Sequence, residues 1–141
     1  MLDATQITAL QQYFKTQEKI IAVYLYGSFA RGTNNALSDI DLAVMLRSID
    51  ATTSQFHLNV IGEINQILQT DAIDVQILSP QSPPVLTLSM LKGQLIYCSN
   101  PIIRVSIESQ ILSRYQDYQP FLNVQLEAMK NRFRKGTYAG G

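Results

Sequence analysis

The sequence predicts an α/β fold. Two observations carry that expectation. Short β-branched and aromatic runs occur at 20–26 (IIAVYLY), 39–46 (DIDLAVML) and 72–78 (AIDVQIL), and stretches with apolar residues at three- and four-residue steps lie before and between them. From Asp3 to about Gln17, Ile7, Leu10 and Phe14 recur at helical spacing behind a cap at Asp3 or Thr5. Ile20 to Tyr26 is too short for an independent helix and is closed by Gly27, so it reads as a buried strand. Residues 28–31 fit one helical turn, and 32–38 (GTNNALS) form a loop by composition. Asp39 to Leu46 resumes as a strand.

Phe56, Val60, Ile64, Ile67 and Leu68 make a helical stripe over Thr53 to Leu68. Ala72 to Leu78 is the third strand, bounded by Pro80, Pro83 and Pro84. Pro84 to Leu91 reads as a short helix stopped near Gly93, and Gln94 to Cys98 as a fourth, edge strand. Beyond Pro101, Ile111, Tyr115, Tyr118, Leu122, Leu126, Met129 and Phe133 step by 4, 3, 4, 4, 3 and 4 residues, an amphipathic stripe that Pro120 kinks or restarts. Ile103, Ile107 and Val124 add apolar surface off that stripe, which calls for a partner protein or a second copy to cover it. With no repeat, low-complexity tract or linker, one domain is expected over 1–141, with a core over about 1–100 and a helical segment over about 101–135.

Composition narrows the function classes. Apolar residues make up 46% of the 141, charged residues 16%, with eleven of each sign. Such a balance offers no basic face to grip extended nucleic acid. No run of about eighteen apolar residues is present, so no membrane span is expected. The one cysteine, Cys98, has no internal partner. The first residues, MLDATQITAL, lack the basic start and apolar stretch of a secretory signal, so the expected location is the cytoplasm.

The chemistry concentrates in YLYGSFARGTNNALSDIDLAV. Side chains at i and i+2 of a strand share a face, so Asp39 and Asp41 stand side by side, about 6.6 Å apart along the strand, while Ile40 and Leu42 face the core. Two like charges that close are costly unless a cation lies between them. Magnesium takes oxygen ligands and is held by one or two carboxylates plus substrate phosphates, which suits this pair. Upstream, Gly27 lets the backbone turn tightly and approach a ligand, and Ser28 opens a turn whose amides and hydroxyl suit phosphate oxygens. A third carboxylate, needed to complete a two-metal site and to take a proton, is offered by Asp74 inside an otherwise apolar strand; Asp71 is second choice because it precedes the strand and fits turn chemistry.

GSFARGTNNALSDIDLAV resembles the nucleotidyltransferase superfamily related to DNA polymerase β, whose signature is Gly-Ser, a spacer, Asp-x-Asp and a later third aspartate. The ten-residue spacer and the short chain look most like the minimal nucleotidyltransferases (MNT) encoded beside HEPN-domain toxins in prokaryotes. The resemblance implies a small mixed sheet flanked by helices, and transfer of AMP from ATP to a hydroxyl with release of pyrophosphate. It implies that Asp39 and Asp41 ligate two Mg²⁺ ions, that Asp74 completes the site of one of them and acts as general base, and that Gly27 and Ser28 hold the β- and γ-phosphates. It further implies an antitoxin that modifies a tyrosine of its HEPN ribonuclease partner within a hetero-oligomer. The alternatives are a nucleotidyltransferase for small molecules such as aminoglycosides or lincosamides, and an antitoxin that neutralises by binding alone.

Other residues invite weaker readings. Arg31 is a candidate contact for a triphosphate oxygen or a solvated loop cation. His57 reads as a solvated surface residue, and Cys98 as a small core or edge residue. Of the seven tyrosines, Tyr24, Tyr26, Tyr115 and Tyr118 read as packing, and Tyr138 as the best accidental self-acceptor.

Overall fold

The computed structural model describes residues 2–27 and 39–117 of the chain. The helical turn and loop expected at 28–38, with Ser28 and Arg31, lie outside the described residues, as does everything beyond Asp117, including Pro120, Val124, Tyr138 and most of the C-terminal stripe. Among the described residues, eight elements follow in order: α1 (Ala4–Lys15), β1 (Ile20–Tyr26), β2 (Ile40–Leu46), α2 (Thr53–Leu68), β3 (Ile73–Leu78), α3 (Pro84–Leu91), β4 (Gln94–Cys98) and α4 (Pro101–Asp117).

The strands form one mixed sheet in the order β3-β2-β1-β4. β1 is antiparallel to both β2 and β4, whereas β2 and β3 run parallel, joined by the crossover helix α2 that a parallel pair requires. Helices cover both faces. On one, Leu10 and Phe14 of α1 and Val60, Ile64 and Leu68 of α2 pack on Val23, Leu25, Leu42, Val44 and Val75. On the other, Met90 of α3 and Ile107 and Ile111 of α4 pack on Ala22, Tyr24, Tyr26, Ala43 and Met45. Burial on both sides explains why the central strands read as continuous apolar runs instead of alternating ones. Apart from Asp41 on β2, the polar positions fall on the edge strands β3 and β4.

Local chemistry sets the boundaries. Asp3 caps α1: its Oδ1 accepts from the Gln6 backbone N–H at 2.8 Å, and the Gln6 side chain returns the bond to the Asp3 backbone N–H at 3.0 Å, a reciprocal capping box. Gln11 of α1 donates to the Ile96 carbonyl at 2.8 Å and so fastens the helix to β4. Gly93 lets β4 enter beside β1, since a Cβ there would stand 2.9 Å from that of Tyr26. Arg114 of α4 donates to the carbonyls of Pro80 and Ser82, tying the last described helix to the loop after β3.

Two side-chain expectations are corrected. His57 is half-buried rather than solvated, because its Nε2 lies 2.5 Å from the Val75 carbonyl of the edge strand β3 and donates to it. Ile107 is buried with Ile111, and Ile103 packs against them, so these residues are part of the core face of α4. The apolar surface left exposed on α4 belongs to Ile102, Val105 and Leu112 instead. The helix has apolar residues on two sides, and sequence spacing alone did not choose between them.

Inside the second core, the Tyr24 hydroxyl donates to Glu108 Oε1, which also accepts from Arg104 Nη1 at 3.2 Å. Burial, then the hydrogen bond and charge of Glu108, raise the Tyr24 phenol above its ordinary range. At the end of α2, Gln69 takes the left-handed conformation (φ 53°), which costs a residue with a Cβ about 1 kcal/mol or more. Gln69→Gly is therefore expected to raise the unfolding free energy by about 1 kcal/mol, seen as a higher urea midpoint at unchanged slope. Tyr24→Phe is expected to lower it by about 1–2 kcal/mol in the same experiment, since the carboxylate of Glu108 loses a buried donor.

Candidate functional site

The end of the sheet where β1 finishes and β2 and β3 begin gathers the polar groups. β1 stops at Tyr26 because Gly27 adopts φ 73°, a left-handed conformation that glycine takes at no steric cost. The turn also brings the Gly27 backbone against β2. A Cβ built on Gly27 would overlap Oδ2 of Asp41 and lie 3.2 Å from its Cγ. Only a residue without a side chain leaves space for that carboxylate.

Register does the rest. Antiparallel pairing sets Tyr26 opposite Asp41, and parallel pairing sets Asp74 opposite Asp41. Residues paired across adjacent strands point to one face, at a strand spacing of about 4.8 Å. Tyr26, Asp41 and Asp74 thus form a row across three strands, on the face covered further along by α3 and α4. Asp39 is exposed and stands immediately before β2, two residues from Asp41. Between the two aspartates, the Ile40 N–H donates to the Ala72 carbonyl at 2.9 Å, fixing the start of β2 against the start of β3.

The electrostatics follow from the row. The Tyr26 phenol is pushed up to about 12, first by burial and then by the charges of Asp41 and Asp74. Asp74 is exposed, and its two oxygens accept from the side-chain amide of Gln76 at 3.1 and 3.2 Å. Among the described residues, no group of three acidic, histidine or cysteine side chains is gathered closely enough to hold a metal ion. The donor chemistry of the registered pair nonetheless fits a hard divalent cation: both ligand groups are carboxylates, and magnesium is ordinarily held by one or two of these with substrate phosphates filling other positions. A separate cleft of about 210 Å³, lined by Lys19, Leu46, Arg47 and Phe56 among others, opens at the opposite end of β1 and β2.

Of the residues expected from sequence, the structure brings together Gly27, Asp41 and Asp74, sets Asp39 beside them along the chain, and leaves Ser28 outside the described residues. Two residues of this sheet end had not been singled out as functional. From sequence Tyr26 reads as packing only; its place directly before Gly27 is the available signal. Gln76 shares a face with Asp74 by the two-residue period, which was legible in AIDVQIL.

A family model described as "Polymerase beta, Nucleotidyltransferase" matches residues 8–102. Solved structures of similar fold include a toxin–antitoxin crystal structure with AMP-PNP, at a TM-score of 0.65 and 21% identity, covering 92% of this chain and 99% of that one. They also include the MntA–HepT toxin–antitoxin, at a TM-score of 0.62 and 16% identity over 91% of this chain and 99% of that one. A third is the tri-AMPylated Shewanella oneidensis HEPN toxin in complex with MNT antitoxin, at a TM-score of 0.60 and 18% identity over 89% and 98%. At these identities the likeness is one of fold. Among curated proteins none matches the chain. The family match spans all four strands, the glycine turn and the Tyr26–Asp41–Asp74 row, and the chain belongs to the polymerase beta nucleotidyltransferase family.

Proposed function

We propose that this chain is the antitoxin of a HEPN/MNT pair and a Mg²⁺-dependent protein adenylyltransferase, which moves AMP from ATP to a tyrosine hydroxyl of its HEPN ribonuclease partner in the cytoplasm. The observation that carries the reading is the contact of the Gly27 turn with the Asp41 carboxylate, with Asp74 in register one strand away. A phosphate-seating turn and an acid pair at one end of a sheet are what nucleotidyl transfer requires. The fold shared with a toxin–antitoxin structure with AMP-PNP, and with an AMPylated HEPN toxin in complex with MNT antitoxin, supports the choice of co-substrate and partner.

In this reading Asp39 and Asp41 hold two Mg²⁺ ions, and Asp74 completes the site of the ion nearer the acceptor. The ions, when bound, neutralise phosphate charge and make the acceptor hydroxyl more acidic. Gly27 and Ser28 seat the β- and γ-phosphates through backbone amides and the serine hydroxyl. A tyrosine hydroxyl has a pKa near 10, so a nearby base is useful at neutral pH. Asp74, exposed at the sheet edge, is open to an incoming protein side chain and takes the phenolic proton. The phenolic oxygen bonds to the α-phosphorus, the bond from that phosphorus to its bridging oxygen breaks, and pyrophosphate leaves.

The test is incubation with α-labelled ATP, Mg²⁺ and the product of the neighbouring gene. Label on that protein is the expected result. Label on an aminoglycoside or lincosamide instead, or inhibition of the ribonuclease without ATP, overturns the proposal. Asp39→Asn with Asp41→Asn is expected to slow transfer by at least about a thousandfold, equivalent to roughly 4 kcal/mol of barrier, while the complex still forms on size-exclusion chromatography. Gly27→Ala is expected to cut transfer at least about tenfold with circular dichroism unchanged, because the methyl group displaces the Asp41 carboxylate. Gly62→Ala is the matched control: its Cβ meets nothing within 4 Å on helix α2, so it should keep full transfer and gain about 1 kcal/mol of stability.

A further inference from the structure

Gln76 is a neutral side chain bonded to Asp74, the edge-strand acid of the row. Its Nε2 lies 3.1 Å from Oδ1 and 3.2 Å from Oδ2 of Asp74, so a single amide spans both oxygens. The strand period puts the two residues on the same face, and the parallel register sets Gln76 opposite Ala43 just as it sets Asp74 opposite Asp41. The methyl of Ala43 takes little room, which allows the longer Gln76 to lean along β3 toward the carboxylate. Val75, between them, is buried on the other face and anchors the strand.

We infer that Gln76 is a positioning residue that holds the Asp74 carboxylate plane for cation binding. The inference rests on the proposed reading of Asp74 as a metal ligand. An exposed aspartate on an edge strand is otherwise free to change rotamer, and ordering it at the moment of binding has an entropic cost. A donor shared between both oxygens fixes the plane and still leaves lone pairs on each for a cation. The donor must be neutral. A lysine at this position would compete with the cation, whereas an amide stabilises the carboxylate without adding charge. Hydrogen-bond partners of ligating carboxylates have this effect generally, and removing one typically weakens metal binding about 10–100-fold.

The experiment measures Mn²⁺ binding to the full chain, without nucleotide or acceptor, from the electron paramagnetic resonance signal of free Mn²⁺. Gln76→Leu, Gln76→Met, Asp74→Asn and the double variant Gln76→Leu with Asp74→Asn are compared with the wild type. Gln76→Leu is expected to raise the dissociation constant about 10–100-fold. Gln76→Met keeps the side-chain length but has no donor for Asp74, and is expected to weaken binding about as much, so the inference remains testable if the leucine variant misfolds. In the Asp74→Asn background, Gln76→Leu should have no further effect, because the residue acts through Asp74 alone. Wild-type affinity in both Gln76 variants, with affinity lost in Asp74→Asn, overturns the inference and leaves the reading of Asp74 standing. Equal weakening by Gln76→Leu with and without Asp74 overturns it as well, by making the role a general structural one. Wild-type affinity in Asp74→Asn, or no Mn²⁺ binding by the wild type, overturns the reading of Asp74 and the inference with it.

Discussion

The close approach of the Gly27 backbone to the Asp41 carboxylate is the constraint on which the rest of the site depends. A chain reversal at the end of a central strand would ordinarily project a Cβ into the next strand. Here the left-handed turn and the missing side chain let β1 end level with the first carboxylate of β2. The antiparallel register then has no freedom, since a slip of one residue would turn Asp41 into the apolar core under α1 and α2 and bring Leu42 out. Backbone geometry at one residue thereby determines which face of the sheet is acidic.

That face is built in two zones. Away from the turn it is closed by α3 and α4 over Ala22, Tyr24, Ala43 and Met45, and the Tyr24 hydroxyl and Arg104 converge on Glu108 within it. Near the turn it opens into the row of Tyr26, Asp41 and Asp74. Tyr26 sits at the boundary, its ring in the core and its hydroxyl within the field of both carboxylates. A neutral phenol there is strongly favoured, because ionising it would add a third negative charge to a partly desolvated cluster.

Much of the fold was legible in the sequence because each element obeys its own period. The buried strands are continuous apolar runs, the stripe of α2 falls on Val60, Ile64 and Leu68, and Asp3 is one of the two caps named for α1. The tight turn at Gly27 was legible for the same reason: its place at the end of an apolar run encodes it. What spacing does not encode is which segment lies next to which. That Asp74 stands beside Asp41, and that β3 runs parallel to β2 at the edge, depends on a crossover through α2 that no local pattern specifies. His57 was misread for this reason, since its partner is the Val75 carbonyl eighteen residues away. On α4 the difficulty was an excess of candidates: Ile102, Ile103, Val105, Ile107, Ile111 and Leu112 offer two apolar sides, and only packing against β1 and α3 selects one.

The hydrogen bond from His57 to the edge strand has a consequence for assembly. An outermost β-strand presents unpaired carbonyls to which another polypeptide can add, the route by which sheets grow into ribbons and fibrils. On β3 an imidazole from α2 already occupies the Val75 carbonyl, within one residue of both Asp74 and Gln76. The margin that carries the third acid is blocked to further sheet growth at that point, while its side chains remain available to an incoming protein from above.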